Sequence, residues 1–201
     1  MKPTDILKTE HRVIEQVLNC LEAIANLAIR DGRIDTADAL QAIEFFQRFA
    51  DQCHHGKEEH HLFLWLESRG MPRDGGPTGI MFYEHEQGRL HIRGMKDAIE
   101  NSNHGQTEAL KVFAQHAHAY INLLREHIQK EDHCLFAMAD NAMTEADRQA
   151  MLQAFAHVEK EDIGAGVHEH YLQIAETLAQ KYNVPKAEID PHALQCGCHH
   201  A

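Results

Sequence analysis

The sequence predicts an all-α protein, an up-down-up-down four-helix bundle with an additional C-terminal helix. Four long segments repeat apolar residues at spacings of three and four, which places them on one face of a helix. Short breaks rich in Gly, Pro and Asn separate these segments, and no segment shows the alternation that is typical of a strand. Four long helices joined by short or moderate loops are typical of such a bundle, and a fifth helix would pack outside it or across one end.

The first two helices are separated by a short break. The first is predicted to run from a cap at Thr4 or Asp5 to about Arg30. Its inward face comprises Leu7, His11, Ile14, Leu18, Leu21, Ala25 and Ala28. The second is predicted over about residues 35 to 68, before a Gly- and Pro-rich loop. Its inward face comprises Ile43, Ala50, His54, Glu58, Leu62 and Trp65.

The third and fourth helices follow that loop. The third is predicted over about residues 78 to 101, and its inward face comprises Met81, His85, Gly88, Ile92, Met95 and Ile99. A turn at residues 101 to 105 leads to the fourth, predicted over about residues 106 to 139. Its inward face is the most regular and comprises Phe113, Ala117, Tyr120, Leu124, His127, Glu131, Leu135 and Met138.

The fifth helix begins near Thr144, where acidic residues occupy the first turn, and reaches about Tyr182. Glycines near residues 164 to 166 are expected to interrupt it. We therefore expect one domain over residues 1–183, the bundle with its fifth helix, and a flexible C-terminal tail over residues 184–201.

The composition argues against several partners. Nineteen basic and 31 acidic residues give a net charge of −12 with His neutral, which disfavours nucleic acid and anionic membranes. No apolar run approaches the ~20 residues that a membrane-spanning helix requires. The first residues do not have the pattern of a signal peptide. We therefore expect a cytoplasmic protein, and the sequence does not specify its oligomeric state.

Two copies of one motif provide the main functional signal. His54 and Glu58 form H-x-x-x-E, as do His127 and Glu131, and each copy is followed at the same offset by Leu-Phe. Residues four apart lie one above the other on a helix, so each copy presents an imidazole beside a carboxylate. A pair of such helices brings two histidines and two glutamates together.

Lone histidines on the other two bundle helices complete the set. Burying six ionisable groups in an apolar core is unfavourable unless they are paired or bind metal. Imidazole with carboxylate suits iron, manganese or zinc, and two carboxylates can bridge two ions. The predicted ligands are His11, His54, Glu58, His85, His127 and Glu131. The alternative is a bundle without metal, in which these are hydrogen-bonded core residues.

Most of the other histidines are interpreted as solvated. Those that lie mostly off the inward faces are His55, His60, His61, His91, His104, His116, His118 and His133. A further group on the fifth helix consists of Glu159, Glu161, Asp162, His168 and His170. A surface charge patch is the simpler interpretation of that group. The alternative is that Glu159 or His168 supplies another ligand or an outer hydrogen-bond partner.

The five cysteines do not suggest a disulfide framework. Cys20, Cys53 and Cys134 fall in helical segments, where they are expected to pack as small apolar residues. Their odd total and the cytoplasmic interpretation argue against disulfides. Cys196 and Cys198, followed by two histidines, either chelate a soft metal or belong to an incidental terminus.

The order of these motifs resembles the hemerythrin-like, HHE cation-binding family. The resemblance rests on a lone His near the N-terminus, two H-x-x-x-E-x-x-x-L-F copies and a lone His within Glu-His-Glu, and covers about residues 4 to 140. It implies a non-haem diiron site in a four-helix bundle, with two iron ions joined by an oxo or hydroxo bridge. The same six residues would be the iron ligands.

The sequence departs from oxygen-carrying members at two positions. Those proteins have a second His one turn after the third-helix His, where this chain has Arg89 beside Gly88. Their fourth-helix carboxylate corresponds to Asp132, and we favour Glu131 because it repeats the first motif. Four His with two Glu resembles the iron–sulfur-repair branch, which usually carries an additional N-terminal cysteine-bearing domain that this sequence does not show.

Three functions follow as hypotheses. The first is binding or sensing of dioxygen or nitric oxide at an open position near Gly88. The second is a diiron redox enzyme, such as a peroxidase, oxidase or nitric oxide reductase, that needs an electron donor. Tyr120 or Tyr83 is a candidate relay of electrons or protons in such an enzyme, and the simpler interpretation is a packed core tyrosine. The third is iron handling or iron–sulfur repair. The histidine-rich surface, the net negative charge and the cysteine-containing tail suggest iron handling. The expected small-molecule partner is a diatomic ligand or peroxide.

Overall fold

The computed structural model describes residues 1–100, 106–164 and 166–189, and the described part of the chain contains helices and no strand. The turn at residues 101–105, which includes His104, lies outside the described residues, as do Ala165 and the tail from residue 190 with Cys196 and Cys198. The side chain of Asp162 is also not described. No helix within the described ranges is both long and apolar enough to cross a membrane.

The elements are α-helices and π-helical segments, which we label α and π in chain order. They are α1 (Pro3–Asp31), α2 (Thr36–Phe45), π1 (Phe46–His55), π2 (Glu58–Leu62), α3 (Phe63–Ser68), α4 (Pro77–Glu100), α5 (Gln106–Lys130), π3 (Glu131–Leu135), α6 (Phe136–Ala142), α7 (Glu145–His157), π4 (Val158–Gly164) and α8 (Val167–Tyr182).

Local sequence explains where the first helices begin and end. α1 begins at Pro3, whose fixed φ suits the first helical position, and the Lys2 backbone N–H donates to the Asp5 carboxylate at 2.7 Å. Gly32 follows the helix in the left-handed region, with φ 62°, which favours glycine. Asp35 then caps α2 by accepting two backbone N–H groups.

The second and fourth predicted helices contain π-helical segments. The second continues from α2 through π1 and π2 into α3, and the fourth continues from α5 through π3 into α6. A π-helix is bonded from i to i+5, so each turn holds more residues than an α turn, and such segments are frequent at functional sites. Both H-x-x-x-E motifs include them, because Glu58 begins π2 and Glu131 begins π3.

The π-helical segments shift the inward face. Met138 was predicted to point inward, and this prediction is wrong, because the residue is 46% exposed. Phe136 and Ala139 are buried in its place, as expected if π3 displaces the α-helical phase that the sequence pattern follows. Trp65 and Ile99, also predicted inward, are only partly buried.

The apolar core consists of two clusters with the predicted polar residues between them. On each bundle helix, the polar positions are flanked by one cluster on one side and by the other cluster on the opposite side. The larger cluster includes Ile14, Leu18, Phe46, Phe49, Ile92, Phe113 and Leu124. The smaller cluster includes Leu7, Leu62, Phe63, Met81, Leu135, Phe136 and Phe155. A buried polar layer therefore divides the interior.

The predicted fifth helix is interrupted where the glycines occur. Gly164 has φ 106° and Gly166 has φ 82°, conformations that favour glycine. α8 contacts α1 and α2, and the Gln16 side-chain N–H donates to the Ala175 carbonyl at 2.9 Å. Residues 184–189 contain no helix, and the Ala187 backbone N–H donates to Gln16 at 2.5 Å. The described start of the predicted tail therefore contacts α1.

Candidate metal centre

The structure brings all six predicted residues together in the polar layer. Each is at most 2% exposed. They come from the four main helices, of which the second contains π1 and π2 and the fourth contains α5 and π3. The six residues are His11 of α1, His54 of π1, Glu58 of π2, His85 of α4, His127 of α5 and Glu131 of π3. Spacing within each helix could place them on inward faces, and the packing of the helices places those faces against one another.

Two groups of potential ligand atoms share one glutamate. In each group the ligand atoms lie within 4.8 Å of one another. The first donor group is His11, His54, Glu58 and Glu131. The second donor group is His55, Glu58, His85 and His127. Because Glu58 belongs to both, its carboxylate lies where it can bridge two ions.

Each glutamate lies between two imidazoles. Glu58 is 3.4 Å from Nε2 of His54 and 3.6 Å from Nε2 of His85, through different oxygens. Glu131 Oε2 is 3.3 Å from Nε2 of His11 and 3.2 Å from Nε2 of His127. These distances exceed those of good charge-assisted hydrogen bonds, and both glutamates keep oxygen atoms directed at the centre.

Several buried polar atoms at the centre have no hydrogen-bond partner among the described residues. They are Nε2 of His11, Nε2 of His54 and both side-chain oxygens of Glu58 and of Glu131. Leaving such atoms unsatisfied in an apolar interior costs roughly 1–3 kcal/mol each, and more for charged groups. Imidazole nitrogens and carboxylate oxygens converging on one small volume are the ligands that divalent transition-metal ions accept. The residues present therefore fit a metal centre.

The opposite nitrogen of each predicted histidine is held by a carboxylate. Nδ1 of His11 lies 2.8 Å from Asp132, and Nδ1 of His54 lies 2.9 Å from Glu10. The remaining pairs are His85 with Glu59 at 2.6 Å and His127 with Glu84 at 2.9 Å. An N–H at Nδ1 donating to a carboxylate fixes the ring and leaves Nε2 as the ligand atom.

These four residues, which we call the outer carboxylates, form a closed ring around the centre. Glu10 of α1 holds a histidine of π1, and Glu59 of π2 holds a histidine of α4. Glu84 of α4 holds a histidine of α5, and Asp132 of π3 holds His11 of α1. Asp132 therefore faces the outer side of His11, whereas Glu131 faces the centre.

The protonation of the centre reflects like charges in a buried space. Burial and the neighbouring Glu131 raise the pKa of Glu58 well above its ordinary value. Burial acts in the same direction on Glu131, but His127 and His11 outweigh it and hold the pKa of Glu131 well below its ordinary value. Burial and the charge of His11 lower the pKa of His54 to about 3. A cation between the carboxylates would replace the proton that Glu58 otherwise retains.

His55 is a functional candidate that the sequence pattern missed. It was interpreted as solvated, and this is wrong, because it is only 5% exposed and belongs to the second donor group. Its ring stacks on that of His85 with centroids 3.7 Å apart. The reason is the π-helical geometry of π1, which ends at His55 and changes which residues face inward. The doubled histidine was visible in the sequence, but α-helical spacing placed it off the inward face.

The other described histidines that were interpreted as solvated are exposed or partly buried, and two of them contact each other. His60 and His133 are exposed. His91 and His116 are partly buried, and their Nδ1 atoms lie 3.2 Å apart on neighbouring helices α4 and α5. None of these four belongs to the donor groups. His118 is partly buried.

A buried lysine lies behind the centre. Lys57 is fully buried, and its ammonium contacts Glu10 and lies 2.6 Å from Glu159. Nε2 of His168 is 3.6 Å from Glu10. Burial by itself lowers the pKa of Lys57, but the charge of Glu10 outweighs burial and raises this pKa above its ordinary value. The interpretation of Glu159 and His168 as part of a surface charge patch is wrong for His168, which is 5% exposed. Glu159 and His168 lie beside Glu10, the residue that holds His54, and belong to neither donor group of the centre.

A cavity of about 140 Å³ adjoins the second donor group. Its apolar wall includes Phe46, Ile92 and Leu124, and its polar wall includes His55 and His85. Its remaining lining residues are Gln47, Asp51, Glu84, Gly88, Arg89, Arg93 and Tyr120. This volume is large enough for a small molecule of a few atoms.

Gly88 and Tyr120 define the width of this cavity. A Cβ atom at Gly88 would lie 3.3 Å from Cε2 of Tyr120, so the absent side chain preserves the space. Tyr120 is 3% exposed, whereas Tyr83, the other proposed relay, is 64% exposed and does not line the cavity. The structure therefore associates only Tyr120 with the cavity.

Comparison with known proteins identifies relatives of this chain. Uncharacterized proteins of Mycobacterium bovis and of two Mycobacterium tuberculosis strains are 26% identical over 164 residues. The match covers 81% of this chain and 62% of each relative, so the chain spans about three fifths of the relatives' length. No solved structure matches the chain. Residues 2–139 match the family model described as the hemerythrin HHE cation-binding domain.

Proposed function

The chain belongs to the hemerythrin HHE cation-binding family, and we propose that it holds two iron ions and binds or senses dioxygen or nitric oxide with them. The observation that carries this proposal is the pair of donor groups that share Glu58. A single structural ion would need only one such group. Two adjacent groups with a common carboxylate suit a bridged pair of ions.

Six residues of the chain would hold the ions. His11 and His54 serve the first position, and His85 and His127 serve the second. Glu58 and Glu131 would bridge, because each lies between imidazoles of both positions. Two ferrous ions held in this way supply one-electron redox chemistry and open coordination positions for a small ligand.

The surrounding residues orient the imidazoles and line the adjoining cavity. The outer carboxylates fix the four rings before any ion binds, which lowers the reorganisation that loading requires. Phe46, Ile92 and Leu124 give the adjoining cavity an apolar wall. An uncharged diatomic molecule loses little solvation on entering such a space, whereas a charged substrate would lose much more.

Iron loading is the first expected outcome. Protein purified without oxygen and supplied with Fe(II) is expected to hold two ions per chain, one for each donor group. Because the ions bind the folded chain, loading should also raise the melting temperature. Metal analysis and calorimetry measure both effects. A strong preference for zinc, or no uptake of metal, would refute the proposal.

Ligand binding is tested on the loaded protein. Addition of dioxygen or nitric oxide is expected to change the optical spectrum, and removal of the gas is expected to restore it. Irreversible oxidation within one cycle would exclude a binding or sensing role.

Tyr120 favours a second candidate, a diiron redox enzyme such as a peroxidase or nitric oxide reductase. Its side chain is buried and lines the cavity beside the second donor group. There it could pass a proton or an electron that an external donor supplies. Repeated turnover with peroxide or nitric oxide and a chemical reductant, lost in Tyr120→Phe, would support the enzyme over the sensor. The iron-handling hypothesis rests on the histidine-rich surface, the net charge of −12 and the tail with Cys196 and Cys198, of which the tail lies outside the described residues.

We also infer that the four main helices alternate in direction. Contacts between α1 and the α5–α6 segment pair Lys2 with Asp140 and Glu22 with Arg125, an antiparallel order. In α1 and α4 the outer carboxylate comes one residue before the inward residue of the same helix. In π2 and π3 the outer carboxylate comes one residue after the inward residue. Alternating directions explain this exchange, because reversing a helix exchanges its two flanks.

We propose that residues 1–183 form one domain in the cytoplasm. α7 and α8 both contact α1, so the C-terminal helices share the bundle's core. Cys134 was also expected to pack as a small apolar residue, and this is wrong, because it is exposed. Cys20 and Cys53 are buried free thiols, and burial raises the pKa of each to about 12. Free thiols of this kind suit a reducing compartment.

A further inference from the structure

We propose that His55 is a seventh protein ligand, supplying a fifth imidazole to the metal position formed by Glu58, His85 and His127. This inference rests on the proposed diiron function and deepens it. It assigns a role to the residue at the first unspecified position of the first H-x-x-x-E motif.

The position of the His55 ring supports coordination. One of its nitrogens lies within 4.8 Å of ligand atoms of Glu58, His85 and His127. Its ring is nearly parallel to that of His85, with an interplanar angle of 13° and centroids 3.7 Å apart. Two stacked imidazoles present their nitrogens side by side, which suits adjacent positions on one ion.

His55 also has an outer carboxylate of its own. Its Nδ1 lies 3.3 Å from Asp51, one turn earlier on the same segment. This repeats the arrangement of the other four histidines, in which Nδ1 faces a carboxylate and Nε2 is left for the metal. A histidine that only filled space in a cavity wall would not need this partner.

Arg89 links the outer side of His55 to that of His85. Its guanidinium donates to Asp51 at 2.8 Å through Nε and to Glu59 at 2.8 Å through a terminal nitrogen. Asp51 and Glu59 are the carboxylates that face Nδ1 of His55 and of His85, respectively. Arg89 stands at the position where the resemblance to oxygen-carrying members implies an additional histidine. In this chain the position orients two imidazoles instead of supplying one.

The assignment makes the two metal positions unequal. With Glu58 and Glu131 bridging, each position has two imidazoles and two carboxylates, and His55 adds a third imidazole to the second position. Consecutive residues on an α-helix point about 100° apart, which separates their ligand atoms, but π1 brings both His54 and His55 inward. The two residues thus serve different positions, and the cavity adjoins the one that His55 serves.

The experiment compares His55→Ala and His55→Gln with the wild type and with His60→Ala. His60 is exposed and lies on π2, one turn from His55, so it controls for loss of a nearby imidazole. Fe(II) is titrated into the full-length metal-free chain without oxygen. The wild type and His60→Ala are expected to load two ions, and both His55 variants are expected to bind the second ion at least about tenfold more weakly. Free imidazole should restore binding to His55→Ala.

X-ray absorption of the loaded wild type provides a readout that needs no variant. Five iron-bound imidazoles per two ions are expected, and four would overturn the inference. Unchanged affinity for the second ion in both His55 variants would also overturn it and would leave His55 as a cavity-wall residue. Failure of the wild type to load iron would instead refute the proposed function.

Discussion

Replacing Glu58 by Gln is expected to remove both iron ions from the protein while leaving its helices intact. Glu58 belongs to both donor groups, so its loss affects both metal positions at once. Gln keeps the shape of the side chain but lacks the charge that offsets two cations. Removal of an outer partner typically lowers metal affinity by about 10–100-fold, and loss of a shared ligand should exceed the upper end of that range.

The same substitution is expected to stabilise the metal-free chain at neutral pH. The raised pKa of Glu58 means that the folded state retains a proton that the unfolded state releases. The contribution of Glu58 to stability therefore falls as pH rises above the ordinary glutamate pKa of ~4.3, and Gln removes this contribution to the pH dependence. The gain of the variant over the wild type should grow from pH 4 towards pH 7.

The measurements are metal analysis after reconstitution and urea unfolding of the metal-free forms at several pH values. Glu126→Gln is the matched control, because Glu126 is exposed on α5 next to His127. It should load two ions and unfold like the wild type. Retention of two ions by Glu58→Gln would contradict the assignment of a shared bridge.

Replacing Lys57 by Met is expected to destabilise the metal-free protein by roughly 3–5 kcal/mol. The substitution leaves Glu10 buried without its cation, and removing one partner of a buried pair exposes the full desolvation penalty of the other. For a chain of this size, that loss corresponds to a melting temperature lower by roughly 6–20 °C.

A double variant separates charge from packing. Lys57→Met with Glu10→Gln removes both buried charges, and it should recover much of the lost stability. Lys130→Met is the control nearer the surface, because the Lys130 side chain is 41% exposed where it pairs with Glu84. Its effect should stay within about 1 kcal/mol. Thermal unfolding of all four proteins tests this, and equal melting temperatures for Lys57→Met and the wild type would refute the role of Lys57.

The sequence allowed the helical class and the six central residues to be predicted because both depend on spacing. Apolar residues three and four apart define a helix face, and polar residues on that face are exceptional enough to be recognised. The choice between Glu131 and Asp132 followed from repetition of the motif. The structure places Glu131 at the centre and Asp132 beside Nδ1 of His11, although their roles as ligand and outer partner remain predictions.

Two kinds of feature could not be predicted in this way. The π-helical segments alter the number of residues per turn, so an α-helical template placed His55 outside and Met138 inside. The pairing of Lys57 with Glu10 joins residues 47 positions apart on different elements, and periodicity within one helix has no information about it. Both features depend on how helices pack, which is a property of the whole chain.

The ring of outer carboxylates also selects the sense in which the chain winds around the bundle. Each outer carboxylate is next in sequence to an inward residue, as Glu10 is to His11 and Asp132 to Glu131, so it lies on one flank of its helix. In a bundle of the opposite handedness each helix would keep the same two neighbours, but they would exchange sides. The side of a helix that carries its outer carboxylate would then face the other neighbour. All four histidines would then lose their partners together. The contacts that orient the imidazoles therefore discriminate against the mirror-image threading, which apolar packing alone distinguishes poorly.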